Sequence, residues 1–136
     1  MITTICKHLV PDEHRMSHVA KLFGVHFPMR LEPFVYGITE RLAKQYHGGY
    51  WQFFALCNGG FYMAPQTDIM FAVSCENGYQ GKLSADALGI TACLYAYSNL
   101  SFGGEDFAQT CARHYHWLRD YAMDHNEASA ILGATD

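Results

Sequence analysis

Asn58-Gly59-Gly60 interrupts a run of aromatic and apolar residues, GGYWQFFALCNGGFYMAP (48–65), and this interruption constrains the fold more than any other feature of the chain. An Asn-Gly step between β-forming runs marks a hairpin, because its turn residues must accept positive φ. Tyr50–Cys57 and Phe61–Ala64 are therefore predicted to pair. A loop of Asn58-Gly59 sets Leu56 opposite Phe61 and Phe54 opposite Met63, whereas a loop of Gly59-Gly60 shifts the register; the residues leave both open. A second hairpin is predicted from Ile69–Cys75, Asn77-Gly78 and Tyr79–Leu83. Four such strands in succession make an antiparallel meander. Phe53, Phe54, Leu56, Phe71 and Val73 carry more apolar surface than one buried face needs, so helices must cover much of it.

Helical spacing accounts for most of the remaining chain. Pro11, Asp12 and Glu13 suit a helix start, with Met16, Val19, Ala20 and Phe23 as its apolar face and Gly24 as its end. An extended stretch around Phe27-Pro28 leads to a second helix from Pro33, with Phe34, Ile38, Leu42 and Tyr46 near one face, stopped by His47-Gly48-Gly49. Ser84 caps a third helix that is apolar nearly all round, from Ala87 to Tyr97, as expected of a central buried helix. Beyond Gly103-Gly104, a long amphipathic helix is predicted over about Glu105–His125. Its apolar stripe is Phe107, Cys111, Tyr115, Leu118 and Ala122, opposite Asp106, Gln109, Arg113, His116, Asp120 and Asp124. The tail, NEASAILGATD, reads as a short turn and a frayed end. The expected fold is α+β: an antiparallel β-meander of about four strands packed with four to five helices, one of them central and buried, in a single domain over residues 1–136.

Composition narrows the function classes. Half of the 136 residues are hydrophobic, which suits a chain with a packed core. No apolar run approaches the roughly 20 residues of a membrane helix. The segment MITTICKHLVP lacks the pattern of a signal peptide, so a cytoplasmic location is expected. Cys6, Cys57, Cys75, Cys93 and Cys111 contain no C-x-x-C pair and are expected as free, buried thiols without a disulfide. Residues 1–68 carry six Lys/Arg and five Asp/Glu, a balance of +1, and residues 69–136 carry three and eight, a balance of −5. That asymmetry opposes binding to nucleic-acid phosphates and favours a basic partner for the second half.

Chemistry-bearing clusters are few. Cys111, His114 and His116 are dense in sequence, but at about 100° per helical residue His116 lies far round the helix from His114, so the three do not converge on a metal. Cys57 with His47 as base is conceivable as a thiol nucleophile, yet no nucleophile-elbow motif surrounds it. Trp51, Phe53 and Phe54 are the residue types that stack unpaired bases, the alternative reading being a nucleic-acid-binding module that uses an aromatic sheet. Against it, Lys82 is the one basic residue between Gly48 and Leu83. No cofactor and no catalytic residue are assigned.

The order of three stretches says more than spacing does. GGYWQFFALCNGGFYMAP, then LSADALGITACLYAYSNL, then HYHWLRDYAMDHNEASAILGATD resembles the ArdB/KlcA family of antirestriction proteins over about residues 9–136. The motif S-x-[DE]-A-x-G-I is carried by Ser84, Asp86, Ala87, Gly89 and Ile90. The pattern Y-x-x-L-R-D-Y-A is carried by Tyr115, Leu118, Arg119, Asp120, Tyr121 and Ala122. Cys57 departs from the serine common before the NGG turn. The resemblance implies a small protein of plasmids and other mobile elements that protects incoming DNA from host type I restriction endonucleases, with no catalytic residues to carry over. Its expected partner is the endonuclease complex or an associated host factor. Imitation of DNA is disfavoured, because thirteen acids diluted by nine bases cannot reproduce a duplex with about one charge per 1.7 Å. The expected contact surface is Asp106, Arg113, His116, Asp120, Asp124 and Glu127; direct DNA binding and membrane association are not expected.

Overall fold

The computed structural model describes residues 4–136. Strand β1 (Lys7–Leu9) pairs antiparallel with β2 (Trp51–Leu56), and β2 with β3 (Phe61–Pro65). Strands β4 (Phe71–Ser74) and β5 (Gln80–Leu83) form a separate two-stranded sheet. The helices are α1 (Arg15–Phe23), α2 (Glu32–Leu42), α3 (Ala85–Leu100), α4 (Asp106–Ala122) and α5 (Ala128–Thr135). The α+β class and a buried central helix are thus as expected, but the four hairpin strands do not join into one meander. Pro65 ends β3, and the Gln45 side-chain oxygen accepts the Ala72 N–H at 2.7 Å, so this donor of β4 is bonded to a side chain instead of a neighbouring strand.

Both Asn-Gly turns are present, and the first uses a register outside the two expected. Ala55 faces Phe61 and Phe54 faces Tyr62, closing a three-residue loop of Cys57, Asn58 and Gly59. Leu56 N–H donates to the Gly60 carbonyl at 2.9 Å and Gly59 N–H to the Leu56 carbonyl at 3.0 Å, with Gly59 at φ +105°. The asparagine decides it. Its Oδ1 accepts the Gly60 N–H at 3.0 Å while its Nδ2 donates to the Trp117 carbonyl in α4, also at 3.0 Å. Asn77 repeats the device: Oδ1 takes the Tyr79 N–H at 2.9 Å and Nδ2 reaches the Gly133 carbonyl of α5 at 3.0 Å. Each turn is thereby stapled to a C-terminal helix. Replacing Asn58 with Ala removes both bonds and should lower unfolding free energy by about 1–2 kcal/mol, measured by urea denaturation.

Three further expectations change. Phe27–Leu31 is a π-helical turn running into α2, not an extended stretch; Glu32 N–H reaches back five residues to the Phe27 carbonyl, ahead of Pro33, which has no N–H to give. Helix α2 ends at Leu42, leaving Tyr46 outside it to accept the Trp51 indole N–H at 2.9 Å. The tail is a helix, α5, because Ile131 and Ala134 are fully buried and Tyr95 donates to the Ala134 carbonyl at 2.6 Å.

The core sits around α3, which packs on β3, α2, α4 and α5. Ser84 caps it as expected, its Oγ accepting the Ala87 N–H at 3.1 Å. Ala87, Leu88, Ile90, Ala92 and Ala96 have no exposed surface, so small and branched side chains let neighbours approach on nearly every side. Tyr97 is buried with its hydroxyl donating to the Phe61 carbonyl at 2.7 Å, which satisfies its one polar group.

Candidate functional site

The densest polar constellation is centred on Asp86, in the first turn of α3. Its Oδ1 accepts from Tyr62 at 2.7 Å and pairs with Lys7 at 3.3 Å; its Oδ2 meets His125 Nε2 at 2.8 Å. Burial alone would raise the Asp86 carboxyl, but the hydrogen bonds from His125 and Tyr62 and the Lys7 charge outweigh it and hold it below the ordinary value. His125 Nδ1 accepts the Glu127 N–H at 2.9 Å, which assigns the proton of the neutral ring to Nε2. The Glu127 carboxylate accepts the N–H of Ser84 at 2.9 Å and its hydroxyl at 2.5 Å.

Every polar atom of His125 is therefore committed, and no nitrogen is left to act as a general base. The network instead ties β1, β3, α3 and the α4–α5 junction together. A shallow depression of about 490 Å³ lies over it, lined by Lys7, Asp86, Tyr121, Asp124, His125 and Glu127. Neither helical nor β spacing could bring residues 62, 86 and 125 together. The signal lay in Ser84, Asp86 and the DHNE segment recurring in one resemblance.

The expected contact residues separate into two groups. Asp106, Arg113, His116, Asp120 and Asp124 are exposed along one face of α4 and its exit. Glu127 does not belong with them, since its carboxylate is spent on the start of α3. Asp106, Asp120 and Asp124 enter no ion pair among the described residues, whereas Arg119 of the same motif is tied to Asp136 at 3.6 Å. The α4 face and its exit thus offer three carboxylates to solvent that enter no ion pair among the described residues.

Other candidates fall to packing. Cys111 and His114 are buried on the core side of α4 while His116 is exposed. His114 lies among Phe23, Tyr97 and Trp117, with ring centroids 4.7, 5.4 and 5.1 Å away. Trp51, Phe53 and Phe54 are 3, 5 and 8% exposed, so they present no open ring on which a base could stack. Cys57 is exposed, contrary to expectation, and its sulfur contacts the Cys6 N–H and the Thr4 carbonyl, not His47. Cys6 is exposed too, while Cys75, Cys93 and Cys111 are buried free thiols as expected. A groove of about 800 Å³ between α1, the π-turn and β2 has Val19, Phe27, Trp51 and Phe53 among its apolar residues, with Met16 and Val25 exposed along it. Among the described residues, no helix is long and apolar enough to cross a membrane.

Comparison with known proteins agrees with this architecture. A family model described as antirestriction protein matches residues 44–136. The chain is 40% identical over 131 residues to an antirestriction protein KlcA of Escherichia coli, covering 94% of this chain and 92% of that protein. A second KlcA from Escherichia coli is 44% identical over 132 residues, covering 93% and 90%. A solved structure superimposes with a TM-score of 0.91 at 39% identity over the full length of both chains. It is described as showing that the KlcA and ArdB proteins have a novel fold and antirestriction activity against type I DNA restriction systems in vivo but not in vitro. This chain belongs to the antirestriction protein family.

Proposed function

We propose that this chain relieves type I restriction of incoming DNA inside the cell, as a cytoplasmic, non-enzymatic protein of a mobile element. The observation that carries the reading is the agreement of fold and sequence, end to end, with a solved protein active against type I systems. That protein's activity in vivo but not in vitro supports a mechanism that needs something only the cell supplies. For this chain the contact surface is the α4 face, where Asp106, Asp120 and Asp124 are exposed beside Arg113 and His116. The partner is the endonuclease complex or a host factor coupled to it, meeting these acids with basic groups.

The test is the plating efficiency of unmodified phage on a host with a type I system. Expression of the wild type should raise plating toward that on a restriction-deficient host. Asp120→Ala combined with Asp124→Ala should return it to the restricted level while changing unfolding free energy by no more than about 0.5 kcal/mol, as expected for exposed positions. Full protection by the double variant would discard this surface.

A further inference from the structure

The ladder between β1 and β2 runs Leu9–Phe54, His8–Ala55, Lys7–Leu56, and its next step sets Cys6 opposite Cys57. One backbone bond continues the pairing to this step, Cys57 N–H donating to the Cys6 carbonyl at 2.9 Å, while Cys6 N–H donates to the Cys57 side chain, to Sγ, also at 2.9 Å. Residues opposed in a hydrogen-bonded antiparallel pair lie about 5.5 Å apart at Cα, inside the roughly 4.4–6.8 Å that a disulfide spans. Both cysteines are exposed, and both are reduced. His8 Nε2 stands 3.7 Å from Cys6 Sγ.

We propose that Cys6 and Cys57 form a redox-active dithiol, an oxidant-reactive modification site in which Cys57 reacts first with peroxide and Cys6 resolves it as a cross-strand disulfide. The roles follow from the surroundings. The backbone N–H of Cys6 points at the Cys57 sulfur and favours its thiolate, lowering its pKa, while the neighbouring Cys57 sulfur holds Cys6 above the ordinary thiol value. The Cys57 thiolate attacks a peroxide oxygen; an S–O bond forms, the O–O bond breaks and hydroxide leaves, giving a sulfenic acid. Cys6 then attacks that sulfur; the S–S bond forms, the S–O bond breaks, and hydroxide departs as water with the thiol proton. Two thiols lose two electrons and two protons, and hydrogen peroxide becomes two waters. The disulfide pins the edge strand β1, whose Lys7 contributes to the Asp86 network.

The experiment treats the full chain with stoichiometric hydrogen peroxide and reads intact mass, peptide linkage and melting temperature. The expected result is a loss of two hydrogens per chain, a Cys6–Cys57-linked peptide, and a dithiothreitol-reversible rise in Tm of roughly 5–10 °C, because a long loop of the unfolded chain is closed. Before oxidation, Cys57 should alkylate with iodoacetamide about tenfold or more faster than Cys75, Cys93 or Cys111. Cys6→Ser should leave a dimedone-reactive sulfenic acid at Cys57. The proposal is overturned if no Cys6–Cys57 peptide forms, if the linkage joins two chains, or if the buried cysteines oxidise as readily.

Discussion

Gly89→Ala should cost about 3 kcal/mol or more and leave little soluble protein, although Ala is ordinarily the better helix former by about 1 kcal/mol. A Cβ at this position would stand 2.4 Å from the Met63 carbonyl oxygen and 2.5 Å from Ala64 Cα, with Ala64 Cβ also at 2.4 Å. Two of those three atoms are backbone or Cα of β3, held in register with β2. The strand cannot step aside without breaking that ladder, so the helix must lift from the sheet and lose burial along its length. Gly37 supplies the internal control. It also sits within a helix, α2, but none of the described residues lies within 4 Å of a Cβ built there. Gly37→Ala should therefore stabilise by about 0.5–1 kcal/mol through propensity alone. Urea titration of the two variants side by side separates close approach from helix propensity; equal effects would refute the packing account of the S-x-[DE]-A-x-G-I motif.

The second large effect is on acid stability. His114 is 2% exposed, its Nδ1 has no hydrogen-bond partner among the described residues, and burial first, then Arg113 and His18, push its pKa down to about 4. His18, beside it in α1, is shifted the same way by burial and by Lys21. The folded pKa of His114 lies below the unfolded value of about 6.5, so the unfolded chain binds the proton first. Stability is intact above pH 6.5, falls as pH drops toward 4, and by then His114 alone has removed about 3 kcal/mol. Histidine-to-leucine replacement at 114 keeps the volume without the titration and should flatten the pH 6.5–4 limb measured by urea midpoint. Below that range Asp86 takes over, because its lowered carboxyl contributes stability that is lost only as pH falls through its folded value. An unchanged pH 6.5–4 limb in the leucine variant would mean that His114 titrates normally.

Both predictions concern residues whose local roles were legible to different degrees. The cap at Ser84, the all-round apolar α3 and the two Asn-Gly turns each express a short-range rule, and each is where the residues put it. The register of the first hairpin escaped because it depends on Asn58 reaching a carbonyl of α4 across a gap of 59 residues, which no local rule encodes. Strand β1 escaped because three exposed residues carry no alternation to read. Helix α5 escaped because AILGAT has little polar face, and its order comes from what Tyr95 and Asn77 donate to it. At the candidate site, the exposed acids of α4 followed directly from helical periodicity. The commitment of Glu127 to Ser84 did not, since two distant segments had to meet first. Charge on a helix face is thus readable from sequence, while the choice between a free carboxylate and a structural one is made by tertiary contacts.

If protection arises from an outward acidic face and not from a reacting group, plating of unmodified phage on a type I-restricting host should separate two sets of folded variants. Charge reversal at Asp120 and Asp124 to Lys should abolish protection, whereas Cys57→Ser and His47→Asn, which remove the conceivable nucleophile and base, should leave it at the wild-type level. Loss of protection in either of the latter variants, with the reversed-charge protein still protecting, would contradict the account.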